Sequence, residues 1–188
     1  FLNGGPGAPA FIFISKKHQK NIYPILSGWM GHKDPFEFSE NYVAANGIDR
    51  FLCGTPPLLG LIALECGVDL VLEADLGELR KKAIKLSEIF IELMKQQCNK
   101  YGFKLASPMN KNNRAGHVSF RHANGFSVSR ALSADGVIGD FRVPNIIRFG
   151  IAPIYTRYQD VFDAVERIKN VMKLEKWKQY DQKVTSYT

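Results

Sequence analysis

The chain has 188 residues, of which 45% are hydrophobic and 23% are charged, and a formal net charge of +7. This length allows a substantial core in one domain, or in one and a half, and the composition is typical of globular rather than disordered proteins. The sequence contains neither a run of about 18 apolar residues, which a membrane-spanning helix needs, nor the pattern of a signal peptide. We therefore expect a cytoplasmic protein with no membrane partner.

The positive charge does not by itself indicate a nucleic-acid partner. Lysines and arginines are scattered among acidic residues, and no arginine-rich face alternates with stacking aromatic residues. The three cysteines, Cys53, Cys66 and Cys98, are widely spaced without metal-ligand spacing. We expect reduced thiols, no metal and no nucleic-acid partner. Cys53 follows a loop and precedes a proline-bounded turn, but no base that could activate it as a nucleophile lies nearby in sequence.

The first 27 residues predict a turn, a strand and a short helix. Gly4, Gly5 and Gly7 lie beside two prolines, and the apolar stretch "APAFIFI" follows. A phosphate-binding P-loop would instead continue into Gly-Lys-Ser/Thr and a helix. The pattern favours a tight turn that leads into a buried strand over residues 8–14, with a helical turn within residues 16–27.

Loops and two helices are predicted next. Residues 28–53 contain the turn signals "KDPFEF" and "AANGID". A helix is expected to begin at Pro56 or Pro57, because proline suits the first helical turn and the following apolar residues have helical spacing. A second helix of about seven turns is predicted from Asp75 to near Gly102, since one apolar stripe lies opposite charged residues and glycine suits a helix end.

The C-terminal part predicts a small sheet with helices. Four short strands are indicated by "FKLASP", "GHVSFRH", "GVIGDFR" and "IIRFGIAP". A helix over residues 125–135 separates the second strand from the third, and a final amphipathic helix runs from about Arg157 to Trp177. This order predicts an antiparallel sheet with helices on one face. The fold class is therefore α/β, and α+β in the C-terminal part.

Three side chains have both a structural and a functional interpretation. Trp29 in "GWMGH" is either a core or interface anchor or an indole donor to an anion. Thr55 in "GTPP" is either the N-cap of the next helix or an anion donor at the start of that helix. Arg148 lies in an apolar strand, where a guanidinium needs an anion. That anion is either a bound ligand or the carboxylate of Asp140 or Asp163.

Several stretches together resemble kynureninase, a pyridoxal-phosphate (PLP) enzyme of the fold-type I, aspartate aminotransferase-like superfamily. They occur in family order from Phe1 to about Val171. The stretches are "FLNGGPGAPAFIFISKKH", "GWMGH", "FLCGTPPLLGL", "LRKKAIKLSEIFIEL", "RAGHVSF" and "GVIGDFRVPNIIRFGIAPIYT".

The resemblance implies that the chain is the C-terminal half of such an enzyme. In the family, the lysine that forms a Schiff base with the cofactor comes immediately before the stretch that Phe1–Asn3 resembles. Residues 1–75 would then be a remnant of the large PLP-binding domain, residues 76–101 a long connecting helix, and residues 102–188 the C-terminal small domain, with an antiparallel sheet and flanking helices.

The resemblance also implies roles for four residues. Trp29 and Thr55 would contact the phosphate of PLP, Arg148 would bind the α-carboxylate of the substrate, and Gly54 would contact the substrate ring. The remaining polar residues at motif positions are explained as well by structural pairing; they are Arg114, His117, Asp140 and Arg142. His122 is expected at a strand end or on the surface, without a role.

The activity implied is PLP-dependent hydrolysis of L-kynurenine to anthranilate and L-alanine, in tryptophan degradation. The expected partners are L-kynurenine, an N-terminal half of the enzyme and a second subunit, with active sites at the homodimer interface. Because the lysine is absent, we expect the chain alone to be inactive. Two alternatives stay open: a cysteine desulfurase-like PLP lyase, which would use a nucleophilic cysteine, and a non-catalytic binding module derived from the same fold.

Overall fold

The computed structural model describes residue 5 and residues 7–180, which divide into two compact units, Phe1–Glu73 and Ala74–Thr188. The other residues lie outside this description, and with them Gly4 of the predicted turn and the last eight residues of the predicted C-terminal domain. Gly5 and Gly7 both have positive φ, and the N–H of Ala8 donates to the carbonyl of Gly5 at 3.2 Å. The predicted tight turn is therefore confirmed.

The first unit consists mainly of loops. Its helices are α1 (Lys16–Gln19) and α2 (Leu58–Leu72), and two short 3₁₀ turns span Trp29–Gly31 and Asp49–Phe51. The predicted strand over residues 8–14 is wrong. A strand requires a hydrogen-bonded partner, and the described part of the chain places none beside this segment.

Large apolar side chains of the first unit are strongly exposed. Phe13 is 88% exposed, Ile25 is 99% exposed and Leu59 is 84% exposed. Among its described residues, Ala45 is the one apolar side chain of this unit that is buried. Exposed apolar surface on this scale marks an interaction site, so the described residues of this unit leave their apolar side uncovered.

The second unit has the predicted order of elements. They are α3 (Leu76–Cys98), β1 (Lys104–Leu105), β2 (His117–Arg121), α4 (Gly125–Ala134), β3 (Asp140–Arg142), β4 (Ile146–Gly150) and α5 (Tyr158–Lys173). The sheet is antiparallel throughout, with strand order β1-β2-β4-β3. The predicted α+β layout is confirmed. The last helix ends at Lys173 rather than near Trp177, because Glu175 adopts a left-handed conformation.

Helix α3 begins and ends on local signals in the sequence. The carboxylate of Asp75 accepts a hydrogen bond from the N–H of Glu78 at 2.8 Å, which caps the first turn. After a 3₁₀ turn over Asn99–Tyr101, Gly102 takes the left-handed conformation that ends the helix, as predicted. Every helix within residues 7–180 is too short or too polar to cross a bilayer.

The two faces of the sheet differ in chemistry. Side chains paired across β2 and β4 share a face, and the pairs Val118–Phe149 and Phe120–Ile147 are buried. Phe90 of α3 packs edge-on against Phe120 and Phe149, with ring centroids 5.9 and 5.2 Å away. The opposite face carries the pair Ser119–Arg148. Arg148 therefore lies in an apolar strand but projects away from the core.

His122 directly follows the last residue of β2, so it lies at a strand end as predicted, and its side chain is buried. Its Nδ1 accepts a hydrogen bond from the N–H of Asn124 at 3.1 Å, so the neutral ring carries its proton on Nε2, which lies 2.9 Å from the carbonyl of Tyr101. Burial lowers the pKa of His122, although its backbone hydrogen bond opposes this shift. The ring therefore contributes to stability as a neutral group.

This predicts that the second unit loses stability on acidification. In the unfolded chain His122 takes up a proton near its ordinary pKa of 6.5, whereas in the folded chain it does so only at lower pH. The contribution of His122 to the free energy of unfolding is therefore fully present above about pH 6.5, and it is lost as the pH falls through the folded pKa. Urea unfolding at several pH values measures how steeply the free energy of unfolding changes with pH, which for one group is at most about 1.4 kcal/mol per pH unit. His122→Gln removes this contribution, and His117→Gln, at an exposed position, keeps it. An unchanged slope in His122→Gln would contradict the assignment.

Candidate functional site

The "GWMGH" loop lies directly on the backbone of residues 50–53. Gly28 has φ +50°, and a Cβ on it would lie 1.8 Å from the carbonyl oxygen of Cys53. A Cβ on Gly31 would lie 2.7 Å from the carbonyl oxygen of Arg50. Real Cβ atoms do not approach this closely, so both positions around Trp29 require glycine.

Hydrogen bonds fix the loop in this position. The hydroxyl of Tyr42 donates to the carbonyl of Gly31 at 2.8 Å, and the N–H of Ala45 donates to the same carbonyl at 2.8 Å. The thiol of Cys53 donates to the carbonyl of Leu26 at 3.2 Å. The loop and residues 50–53 therefore form one packed element.

This packing brings Trp29 next to Gly54. The indole Nε1 of Trp29 lies 4.0 Å from the position that a Cβ of Gly54 would occupy. The ring packs edge-on against Phe36, with centroids 5.7 Å apart, and is 47% exposed. Among the described residues, Nε1 makes no hydrogen bond. Within the described residues, the N–H is thus an unused donor on a half-exposed side chain, and a Cβ on residue 54 would be in ordinary van der Waals contact with it.

Thr55 follows directly and does not cap helix α2. The N-cap of α2 is Pro57, without a side-chain hydrogen bond, so the N-cap interpretation of Thr55 is wrong. Thr55 is exposed. The first turn of α2 carries no acidic residue, so the partial positive charge of the helix start is not neutralised locally.

These groups suit an anionic ligand. Trp29 offers an N–H that can only donate, Thr55 offers a hydroxyl, and the start of α2 offers backbone amides; all three kinds of donor pair well with phosphate oxygens. Gly54 and Thr55 are adjacent in the chain, and the structure places the indole of Trp29, named separately by the sequence interpretation, beside Gly54. The first-turn amides of α2 add donors at the helix start, which the sequence also predicted, two residues or one residue before Leu58.

Arg148 belongs to the second unit and already has an anionic partner. Its Nε donates to Oδ1 of Asp140 at 2.9 Å, and its Nη2 donates to Oδ2. Of the two acids that the sequence left open, Asp140 is the partner, whereas Asp163 accepts a hydrogen bond from Gln159 at 2.7 Å. The expected anion is therefore present within the chain, although the Arg148 side chain is 37% exposed rather than enclosed in the apolar core.

The surroundings of Cys53 do not favour a nucleophile. Its thiol donates to carbonyl oxygens of Leu26 and Phe51. A thiolate would lose these hydrogen bonds and would face the negative ends of two carbonyl dipoles, whereas reactive cysteines lie near positive charge. The thiol therefore stabilises the loop.

The glycine requirement around Trp29 can be tested directly. In a Trp177→Phe background, Trp29 is the one remaining tryptophan, and its fluorescence reports its packing. Gly28→Ala introduces a clash with Cys53, so we expect emission shifted towards that of a fully hydrated indole. Gly47→Ala is the matched control, because Gly47 also has positive φ but a Cβ there lies 3.4 Å from the nearest atom. Identical spectra for the two variants would contradict this packing.

Comparisons with known proteins agree with the sequence resemblance. Residues 79–168 match the family described as the kynureninase C-terminal domain. The chain is 42% identical over 178 residues to the kynureninase of Burkholderia mallei (strain SAVP1), covering 95% of this chain and 43% of that protein. The kynureninase of Pseudomonas fluorescens is 41% identical with the same coverage. The chain therefore spans less than half the length of the curated relatives it matches.

Solved structures place the chain in a fold class. The apo cysteine desulfurase of Thermococcus onnurineus NA1 aligns with TM-score 0.70 and 20% identity, covering 86% of this chain and 42% of that one. A C-DES mutant with glycine covalently linked to its PLP cofactor aligns with TM-score 0.67 and 19% identity, covering 84% and 40%. At such identities the likeness shows the fold alone, that of PLP-dependent fold-type I enzymes. The predicted fold class is confirmed, and so is the resemblance to kynureninase, which extends over nearly the whole chain.

Proposed function

We propose that this chain is the C-terminal part of a kynureninase, a PLP-dependent hydrolase that converts L-kynurenine and water into anthranilate and L-alanine in tryptophan degradation. The observation that carries the proposal is the packing of the Trp29 indole beside Gly54, the residue that precedes Thr55 shortly before the start of α2. The similarity to kynureninases over 95% of the chain supports it.

An N-terminal part and a second subunit complete the site in this proposal. The matched relatives are more than twice as long as the aligned chain, and the proposed N-terminal part carries the catalytic lysine. The exposed apolar residues of the first unit, among them Phe13, Ile25 and Leu59, support a covering partner. In a homodimer, Trp29 and Thr55 would reach a cofactor at the subunit interface. We call the chain joined to its own N-terminal part, or to that of the Burkholderia mallei relative, the assembled enzyme.

In this proposal, the residues of this chain hold the cofactor and orient the substrate. When bound, PLP supplies the electron sink that the carbon–carbon cleavage needs. Trp29 and Thr55 would donate hydrogen bonds to the phosphate, and the uncapped start of α2 would add its dipole. Gly54 leaves space beside the indole for the aromatic ring of the substrate. Such positioning converts binding energy into rate by fixing the reacting geometry.

Arg148 would bind the α-carboxylate of L-kynurenine. A guanidinium has five N–H donors in a planar fork that matches a carboxylate, which lysine does not reproduce. Asp140 engages Nε and Nη2, and Nη1 has no hydrogen-bond partner among the described residues. A second carboxylate can therefore approach Arg148 from the end of its fork.

A product assay on the assembled enzyme with PLP tests the proposal. We expect L-kynurenine to yield equal amounts of fluorescent anthranilate and L-alanine, and L-cysteine to yield no persulfide. Persulfide formation that depends on Cys53 would support the desulfurase-like lyase instead. Binding of L-kynurenine without product, in an assembly that carries the lysine, would support a non-catalytic module. We also expect the 188-residue chain alone to form no anthranilate.

Variants of Arg148 and Trp29 should weaken different affinities: the Arg148 variant the affinity for the substrate, and the Trp29 variant the affinity for PLP. Hydrogen bonds to charged groups contribute about 1.5–3 kcal/mol each. We therefore expect Arg148→Ala to raise the KM for L-kynurenine about 100-fold with little change in PLP affinity. Trp29→Phe should weaken PLP binding about 10-fold or more and leave the KM at saturating PLP nearly unchanged.

Spectrophotometric PLP titration and steady-state kinetics measure both quantities. Each variant serves as the control for the other. Equal losses of substrate and cofactor affinity in Arg148→Ala would show that this residue is structural.

A further inference from the structure

We propose that Asp140 is a positioning residue for the substrate carboxylate: it holds Arg148 from one side so that the end of the guanidinium fork faces the ligand. The proposal rests on the proposed function, because the ligand in question is the α-carboxylate of an amino-acid substrate.

Backbone register brings the two side chains together. Asp140 of β3 is paired directly with Arg148 of β4, so both side chains lie on the sheet face opposite the core. On that face, Ser119 of β2 is the neighbour of Arg148 on the other side. The strands therefore set the separation of the carboxylate and the guanidinium without any loop.

The hydrogen bonds divide the guanidinium into a used edge and a free edge. Nε and Nη2 donate to the two carboxylate oxygens of Asp140. Nη1 donates to no described residue, and Nη2 retains a second proton. The free pair, Nη1 and Nη2, is the end-on edge, which can bind another carboxylate in a bidentate manner.

Arg142 keeps the cluster positively charged. Its Nη2 donates to Oδ2 of Asp140 at 2.9 Å, so one carboxylate serves two guanidinium groups. Burial alone would raise the pKa of Asp140, but the hydrogen bonds and charges of Arg148 and Arg142 lower it, so the carboxylate stays ionised. One negative and two positive charges leave a net charge of about +1 for the incoming anion.

An opposite role for Asp140 makes a contrary prediction. If Asp140 were a plug, that is, a carboxylate that competes with the substrate carboxylate for Arg148, its removal would strengthen substrate binding. If it positions Arg148, its removal frees a long side chain that the ligand must then immobilise. The conformational entropy lost when the ligand orders such a side chain weakens binding about 5-fold to 10-fold.

Kinetics on the assembled enzyme distinguish the two roles. We expect Asp140→Asn to raise the KM for L-kynurenine about 5-fold to 10-fold, with kcat changed less than twofold, because the amide cannot accept from both Nε and Nη2. Asp140→Glu should restore part of the loss. Asp163→Asn is the matched control, since it makes the same change at an acid that accepts a hydrogen bond from Gln159 and does not contact Arg148; its KM should change less than twofold. A lower KM in Asp140→Asn would overturn the proposal in favour of the plug.

A crystal structure of the Asp140→Asn assembled enzyme gives a second readout that does not depend on activity. We expect the Arg148 guanidinium to leave its position beside residue 140. An unmoved guanidinium would overturn the proposal even if the assembled enzyme were inactive. Conversely, failure of the unmodified assembled enzyme to cleave L-kynurenine would count against the proposed function alone.

Discussion

The pairing of β4 with β2 and β3 determines what the second unit can do. Because side chains alternate along β4, Ile147 and Phe149 enter the core while Arg148 projects from the other face. The same register sets Asp140 beside Arg148. A shift of one residue would exchange the faces, placing a guanidinium in the core and apolar rings in water. Core packing and presentation of the arginine are therefore one constraint.

The first unit depends on a different constraint, the close contact of two backbone segments. Gly28 and Gly31 let the loop around Trp29 lie on residues 50–53, and this contact sets the indole beside Gly54. The unit buries little of its apolar surface. Its geometry is thus held by local backbone contacts and hydrogen bonds, whereas the proposed cofactor contacts and the covering partner would add the remaining stabilisation.

Patterns that report burial could be predicted from the sequence, and features that depend on distant partners could not. The apolar stripe of α3 and the short apolar stretches of β2 and β4 identified their elements. The strand over residues 8–14 failed because an apolar stretch bounded by turn residues does not show whether a neighbouring strand exists. The burial of His122 at the end of β2 was not predicted, because its partners, Tyr101 and Asn124, lie in turns. The choice between Asp140 and Asp163 required the strand register, which the sequence alone does not reveal.

The most direct test of the account is a crystal structure of the assembled enzyme with PLP and a non-hydrolysable kynurenine analogue. The account predicts phosphate oxygens within about 3 Å of Trp29 Nε1 and Thr55 Oγ1, and the analogue's carboxylate on the free edge of Arg148. It also predicts that Asp140 keeps its hydrogen bonds to that arginine. A phosphate bound without Trp29 and Thr55, or a carboxylate bound away from Arg148, would contradict it.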